Sequence, residues 1–209
     1  MRKVICSMPE EDLMFILWTL IGFFSGSIMF SKMIYEKTTG KKIREIGDGN
    51  PGCSNVIRGA GLALGLFAMA LDYFKGYLPV LLALSIGGIS GWEIVPVAVS
   101  PVLGHAFSPF LRMNGGKAVA VSFGIWSGVT QWVGPSIIGA FMLLFSFVIN
   151  PRTDGWKVIL SMCGLLIFLV VQKDVIAISI WTINTTILAF KHRDQLAFPI
   201  AFRFRRKEK

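Results

Sequence analysis

Charge is scarce in this chain. Lysine and arginine supply 21 of its 209 residues and aspartate and glutamate 12, together 16%, where a soluble domain carries about 25%. That scarcity excludes an ordinary soluble domain and a charge-rich disordered chain. Histidine occurs twice and cysteine three times, as Cys6, Cys53 and Cys163. Neither type forms a cluster with metal-ligand spacing, so no metal is expected and no redox role is assigned. No Gly-x-Ser-x-Gly elbow announces a serine nucleophile, and no Walker loop announces a nucleotide. The basic residues border apolar runs and lack an aromatic-studded platform, which excludes a nucleic-acid partner. Acidic Glu10, Glu11 and Asp12 precede the first apolar run where a signal peptide would carry a basic region, so no cleavable leader is expected.

Apolar residues fill the space that charge leaves. They make up 54% of the chain, with a mean hydropathy of +0.64. A transmembrane helix needs about 20 mostly apolar residues. Leu13 to Ile34, Gly59 to Gly91, Ile94 to Leu111, Ala118 to Ile149 and Val158 to Phe190 supply such runs. The last two are too long for one crossing. Gly134-Pro135 is the break expected in the first of them, and Gln172-Lys173-Asp174 the break expected in the second. The fold class is therefore all-α, a polytopic integral membrane helical bundle. Seven spans are the preferred count, five the minimum, in a single membrane domain covering 1–209.

The net charge of +9 sits in few places. Lys37, Lys41, Lys42, Arg44 and Arg58 follow the first run, Arg112 and Lys117 precede the fourth, and a basic tail occupies 191–209. By the positive-inside rule these regions share the cytoplasmic face, and the uncharged turn near Ser85 to Gly91 lies opposite. With seven spans the N-terminus is then outside. The tail reads first as an anchor on anionic lipid, worth about 1 kcal/mol per basic residue.

Four polar clusters fall on that shared face. Residues 47–58, Gly-Asp-Gly-Asn-Pro-Gly-Cys-Ser-Asn-Val-Ile-Arg, form a glycine-rich loop whose amides can turn inward on an anion. Asn50 and Asn55 shape it, and Arg58 offers a planar fork for phosphate. Asn114-Gly115-Gly116-Lys117 opens a helical run, so the glycine amides and Lys117 are expected to hold anionic oxygens; His105 stands at the end of the preceding span. Asp72 and Lys75 share one helical face inside an apolar run, as an ion pair or a substrate contact. Lys191-His192-Arg193-Asp194-Gln195 ends the last span.

These segments, in this order, resemble the acyl-phosphate-dependent glycerol-3-phosphate acyltransferases of bacteria, the PlsY family. The family's first motif reads roughly Gly-Ser-Gly-Asn-x-Gly-Ala-Thr-Asn-x-x-Arg, which residues 47–58 follow; Asp72, Lys75 and Gly76, residues 104–120 and residues 191–195 match the later motifs. The resemblance implies a multi-pass protein of the inner (plasma) membrane with its active site on the cytoplasmic side. It implies transfer of a fatty acyl group from acyl phosphate to glycerol 3-phosphate, giving lysophosphatidic acid for phospholipid synthesis without a cofactor. His192, Arg58 and Asp48 become the catalytic candidates. Asn50, Asn55, Lys75, His105, Gly115, Gly116, Lys117 and Gln195 become the substrate-binding ones, with membrane lipid as the surrounding partner. The donor carries its own leaving group, so no acyl-enzyme is needed. The proton acceptor is open between Asp48, His192 and the substrate's phosphate. The chain departs from the family pattern at Asp48, Asn114, Ala118, Lys191 and Gln195, and a carboxylate at 48 repels a facing phosphate by about 4 kcal/mol at 4 Å and an effective dielectric of 20. Two other readings fit parts of the pattern: an impaired paralogue that binds lipid or a partner, and a small-molecule transporter with intramembrane charge.

Overall fold

The computed structural model describes residues 10–197 and 199–200; Cys6 and the basic residues beyond 200 lie outside them. The described elements are helical. In chain order they are α1 (Glu10–Ser27), α2 (Phe30–Thr39), α3 (Cys53–Ala60), α4 (Leu62–Ser85), α5 (Ile94–Ala106), α6 (Val119–Thr130), α7 (Val133–Phe147), α8 (Asp154–Gln172), α9 (Val175–Lys191) and α10 (Arg193–Leu196). Four apolar segments have crossing length: Leu13–Thr39, Leu62–Ser85, Gly91–Leu111 and Asp154–Gln172. Three more are apolar but shorter, α6, α7 and α9. At about 1.5 Å per residue α6 is roughly 18 Å long, so it reaches only part of the way through a ~30 Å hydrocarbon layer.

The break in the fourth apolar run is not at Gly134-Pro135. It falls at Gln131 and Trp132, whose φ of 48° and 76° end α6, and Pro135 lies in the first turn of α7. Proline is tolerated there because its missing N–H would have had no intrahelical partner. The break at Gln172–Asp174 is where the sequence puts it. Lys173 takes φ 57°, and the Asp174 carboxylate caps α9 by accepting from the Ala177 amide at 2.9 Å.

Small residues let the helices approach. Gly26 of α1 lies against Pro101 of α5, where a Cβ would strike the Pro101 backbone, and Gly104 of α5 lies equally close to Phe23 and Ser27 of α1. In lipid such close backbone packing replaces the hydrophobic drive that water supplies elsewhere. The main interior cluster combines aliphatic residues such as Val97, Val121, Leu165 and Ile180 with the aromatic Trp126, and a smaller cluster buries Tyr35. Trp126 Nε1 donates to Asn184 Oδ1 at 2.9 Å, and Asn184 Nδ2 donates to Ser122 Oγ at 2.8 Å. Large apolar side chains, among them Leu20, Phe24, Phe67, Leu143 and Val171, face outward. That is the reverse of a soluble surface and fits a lipid-facing belt.

Candidate active site

One end of the bundle gathers the polar loops. Helices α1, α5, α7 and α9 end there, and α4, α6 and α8 begin there. The glycine-rich loop before α3 is folded on its own side chains. Asp48 Oδ1 accepts from the Asn50 amide at 3.2 Å and from Asn55 Nδ2 at 2.9 Å. Asn55 Nδ2 also donates to the Asn50 carbonyl at 2.9 Å, and Arg58 Nη1 donates to Asn55 Oδ1 at 3.0 Å. Gly47, with φ +56°, sits so close to Asn55 and Arg58 that a Cβ would collide with both, which is why glycine is required.

The second loop doubles back on the end of α5. The Gly115 amide donates to the Ala106 carbonyl at 3.2 Å and the Gly116 amide to the His105 carbonyl at 3.0 Å. A Cβ on Gly115 would strike the His105 carbonyl, and one on Gly116 the His105 ring. Each N–H has one proton, and both are given to the last carbonyls of α5. Ala118 follows with φ +61°, and only then does α6 begin. Its first ladder bond runs from the Ser122 amide to the Ala118 carbonyl, so the amides of Val119 and Ala120 precede it as the anion-attracting end of a helix. Lys191 Nζ pins the loop by donating to the Ala106 carbonyl at 2.9 Å and the Gly115 carbonyl at 3.2 Å. Arg44 reaches the same loop from the other side, donating to the Asn114 carbonyl.

Between these loops lies a cavity of about 630 Å³. Its polar wall includes Asp48, Asn50, Ser54, Arg58, His105, Lys117, Asp154, Lys157 and His192, and Ala118, Val119 and Ala120 border it at the start of α6. Met69, Tyr73, Phe123 and Met142 supply an apolar wall. Arg58, Lys117 and His192, from three distant parts of the chain, thus share one cavity. Asn55 stands behind the wall, buried, holding Asp48 and Arg58. Lys75 is sealed away with 2% of its side chain exposed, 2.7 Å from Asp72 Oδ1 and donating to the Ile28 carbonyl; Asp72 borders the cavity in its place. Gln195 packs against Gly155, its Oε1 buried without a partner, and is absent from the lining. Asp154, Lys157, Cys53 and Tyr73 line the cavity without having stood out in the sequence. For Lys157 the available signal was its spacing of three from Asp154 at a helix start, an ion pair of 3.0 Å.

Two protonation states follow from these surroundings. Burial alone would raise the Asp48 pKa, but the bonds from Lys117, the Asn50 amide and Asn55, with the Lys117 charge, overcome it and hold the carboxyl at about 2. Both oxygens are occupied, since Oδ2 accepts from Lys117 Nζ at 2.8 Å. Asp48 is thus held as a carboxylate with both oxygens already accepting hydrogen bonds. Burial pushes the His192 pKa down from 6.5. Its Nδ1 lies 2.8 Å from the Leu188 carbonyl, an acceptor only, so Nδ1 carries the proton and Nε2 keeps a lone pair.

A membrane bundle with cations, a neutral histidine and an apolar wall around one cavity has the parts of an enzyme for phosphate-bearing lipid precursors. Residues 16–200 match the family model described as glycerol-3-phosphate acyltransferase. Glycerol-3-phosphate acyltransferase 1 of Thermotoga maritima is 39% identical over 158 residues, spanning 71% of this chain and 77% of that protein. The glycerol-3-phosphate acyltransferase of Geobacter sulfurreducens is 29% identical over 179 residues, spanning 85% and 90%. The crystal structure of PlsY (YgiH), an integral membrane glycerol 3-phosphate acyltransferase, in its glycerol 3-phosphate form superposes with a TM-score of 0.79 at 26% identity, covering 88% of this chain and 90% of that one. Its lysophosphatidic acid form gives 0.76 at 25%. The chain belongs to the glycerol-3-phosphate acyltransferase family.

Proposed function

We propose that the cavity holds acyl phosphate and glycerol 3-phosphate side by side and passes the acyl group between them. Arg58 and Lys117 meet the two phosphates, helped by the first amides of α6. The apolar wall of Met69, Phe123 and Met142 takes the start of the acyl chain. His192 Nε2 accepts the proton of the attacking glycerol hydroxyl as its oxygen bonds to the acyl carbonyl carbon. The bond from that carbon to the phosphate oxygen breaks, inorganic phosphate departs, and the proton passes from His192 to it. The products are lysophosphatidic acid and phosphate. Holding both reactants in one cavity supplies most of the rate by orientation. Asn50 and Asn55 fix the Arg58 loop, and His105, Gly115 and Gly116 support the Lys117 loop from behind.

The observation that carries this reading is the meeting of Arg58, Lys117 and a neutral His192 on one cavity with an apolar wall. Its test is direct. Purified protein in lipid is given acyl phosphate and labelled glycerol 3-phosphate; labelled lysophosphatidic acid is expected, and a yield no greater than that of a Lys117→Ala control would end the reading. We place the site on the cytoplasmic face of the plasma membrane, supported by Lys41, Lys42, Arg44, Arg58, Arg112 and Lys117 at the cavity end of the bundle and the positive-inside rule.

A further inference from the structure

We propose that Asp48 is a built-in counter-anion, which substrate phosphate must displace from Lys117 or share it with, and that it thereby sets the anion affinity of the cavity. The proposal rests on the acyl-transfer reading of the site and names a residue that tunes its affinity for phosphate. The cavity wall carries three cations, Arg58, Lys117 and Lys157, and three carboxylates, Asp48, Asp72 and Asp154. Asp72 is already neutralised by the buried Lys75 at 2.7 Å, so the accessible wall sets three cations against two carboxylates before any phosphate arrives. Two of its cations already have a carboxylate: Lys157 lies 3.0 Å from Asp154, and Lys117 lies 2.8 Å from Asp48. Arg58 donates to the neutral Asn55 amide instead.

The Asp48–Lys117 pair is built for exchange. It spans 69 residues of chain and joins the glycine-rich loop to the start of α6. Its side chains stay accessible, 42% for Asp48 and 22% for Lys117, so an anion in the cavity can reach the ammonium. Asp48 is tethered through Oδ1 by two donors, the Asn50 amide and Asn55 Nδ2, while Oδ2 is held by Lys117 alone. Only the second oxygen has to release its partner. An ammonium has three protons, so Lys117 can turn part of its hydrogen bonding to phosphate, but the carboxylate remains nearby and repels the newcomer. Arg58 becomes the first phosphate anchor and Lys117 the second.

The test separates this role from the chemistry. Inorganic phosphate is titrated into the detergent-solubilised protein and its affinity read by phosphorus NMR, for the unaltered chain and for Asp48→Asn, Asp48→Ser and Asp48→Glu. Asp48→Asn keeps the shape and the tether with Asn55. It is expected to bind phosphate about tenfold more tightly, the effect of removing one unit charge from a partly solvated site, and Asp48→Ser is expected to follow it. Asp48→Glu keeps the charge and is expected to stay near the unaltered affinity. Unchanged or weaker binding in both neutral variants, with melting temperatures intact, overturns the proposal and makes Asp48 a structural clasp. If Asp48→Asn loosens the loop, seen as a lower melting temperature, Asp48→Ser decides by the same measure. Product formation is assayed separately. Tighter phosphate binding with no lysophosphatidic acid from any variant would strike the acyl-transfer reading and leave the counter-anion in place; ample product with unchanged phosphate binding does the reverse.

Discussion

Lys75 meets Asp72 at 2.7 Å and Lys117 meets Asp48 at 2.8 Å, yet the two pairs have opposite surroundings. The first is sealed, with 2% of each side chain exposed. Its members sit one turn apart on α4, Ser31 Oγ donates to Asp72 Oδ2 at 2.6 Å, and Lys75 donates to the Ile28 carbonyl. The pair locks α4 to the bend between α1 and α2. The second links two loops, stands at the cavity wall and keeps much of its surface free. Length does not distinguish the two pairs. Access does: Lys117 stands at the cavity wall with 22% of its side chain exposed, whereas Lys75 is 2% exposed and absent from the lining.

Lys75→Ala leaves Asp72 uncompensated in a buried site and should cost about 3–5 kcal/mol, read as a lower unfolding midpoint in micelles. The double variant Asp72→Asn with Lys75→Met should recover much of that loss; a double no better than the single would show that the pair is not the source. Lys117→Ala acts the other way. It should lower kcat/KM by roughly 10²–10³, the size of losing one preorganised charge contact, while stability changes by about 1 kcal/mol or less, as for a partly exposed pair. A large fall in melting temperature would erase the distinction between the pairs.

The folded pKa of His192 lies below its ordinary 6.5, so the neutral ring proposed as the acceptor persists as pH falls through 6.5. Activity should hold there and drop only at lower pH, whereas a rise in activity between pH 6.5 and 5 would remove His192 as the acceptor. The same shift makes stability decline below 6.5, because the unfolded chain takes up a proton that the folded site refuses. Asp48 adds to the trend lower down: its carboxylate stabilises the fold above 3.8 and that contribution is lost as pH falls toward about 2. The smallest effect is expected at Gln195, which lies off the cavity. Gln195→Ala should change KM and melting by about 1 kcal/mol or less, and a large rise in KM for glycerol 3-phosphate would place it in the site after all.

The candidate site was legible wherever residue type carried the chemistry. Arg58, Lys117 and His192 are rare polar residues at the ends of apolar runs, and the positive-inside rule sent them to one face. Sequence alone leaves Lys75 open between an ion pair and a substrate contact, because the cost of burying a lysine is the same whether its partner is a neighbour or a ligand. Asp154 and Lys157 were missed because an acidic first turn with a lysine three residues on is also ordinary helix chemistry.

By itself the sequence determined the helical bundle, the break before Asp174 and the shared face of its basic loops, since these follow from hydropathy and charge summed over many residues. Tertiary structure alone decided how single polar groups are spent. The Gly115 and Gly116 amides go to the end of α5, Lys75 to Asp72 and the Ile28 carbonyl, and Lys117 to a carboxylate 69 residues away. The reason is saturation: a hydrogen-bonding group serves whichever partner the fold brings within about 3 Å, and no local pattern in the chain says which partner that will be.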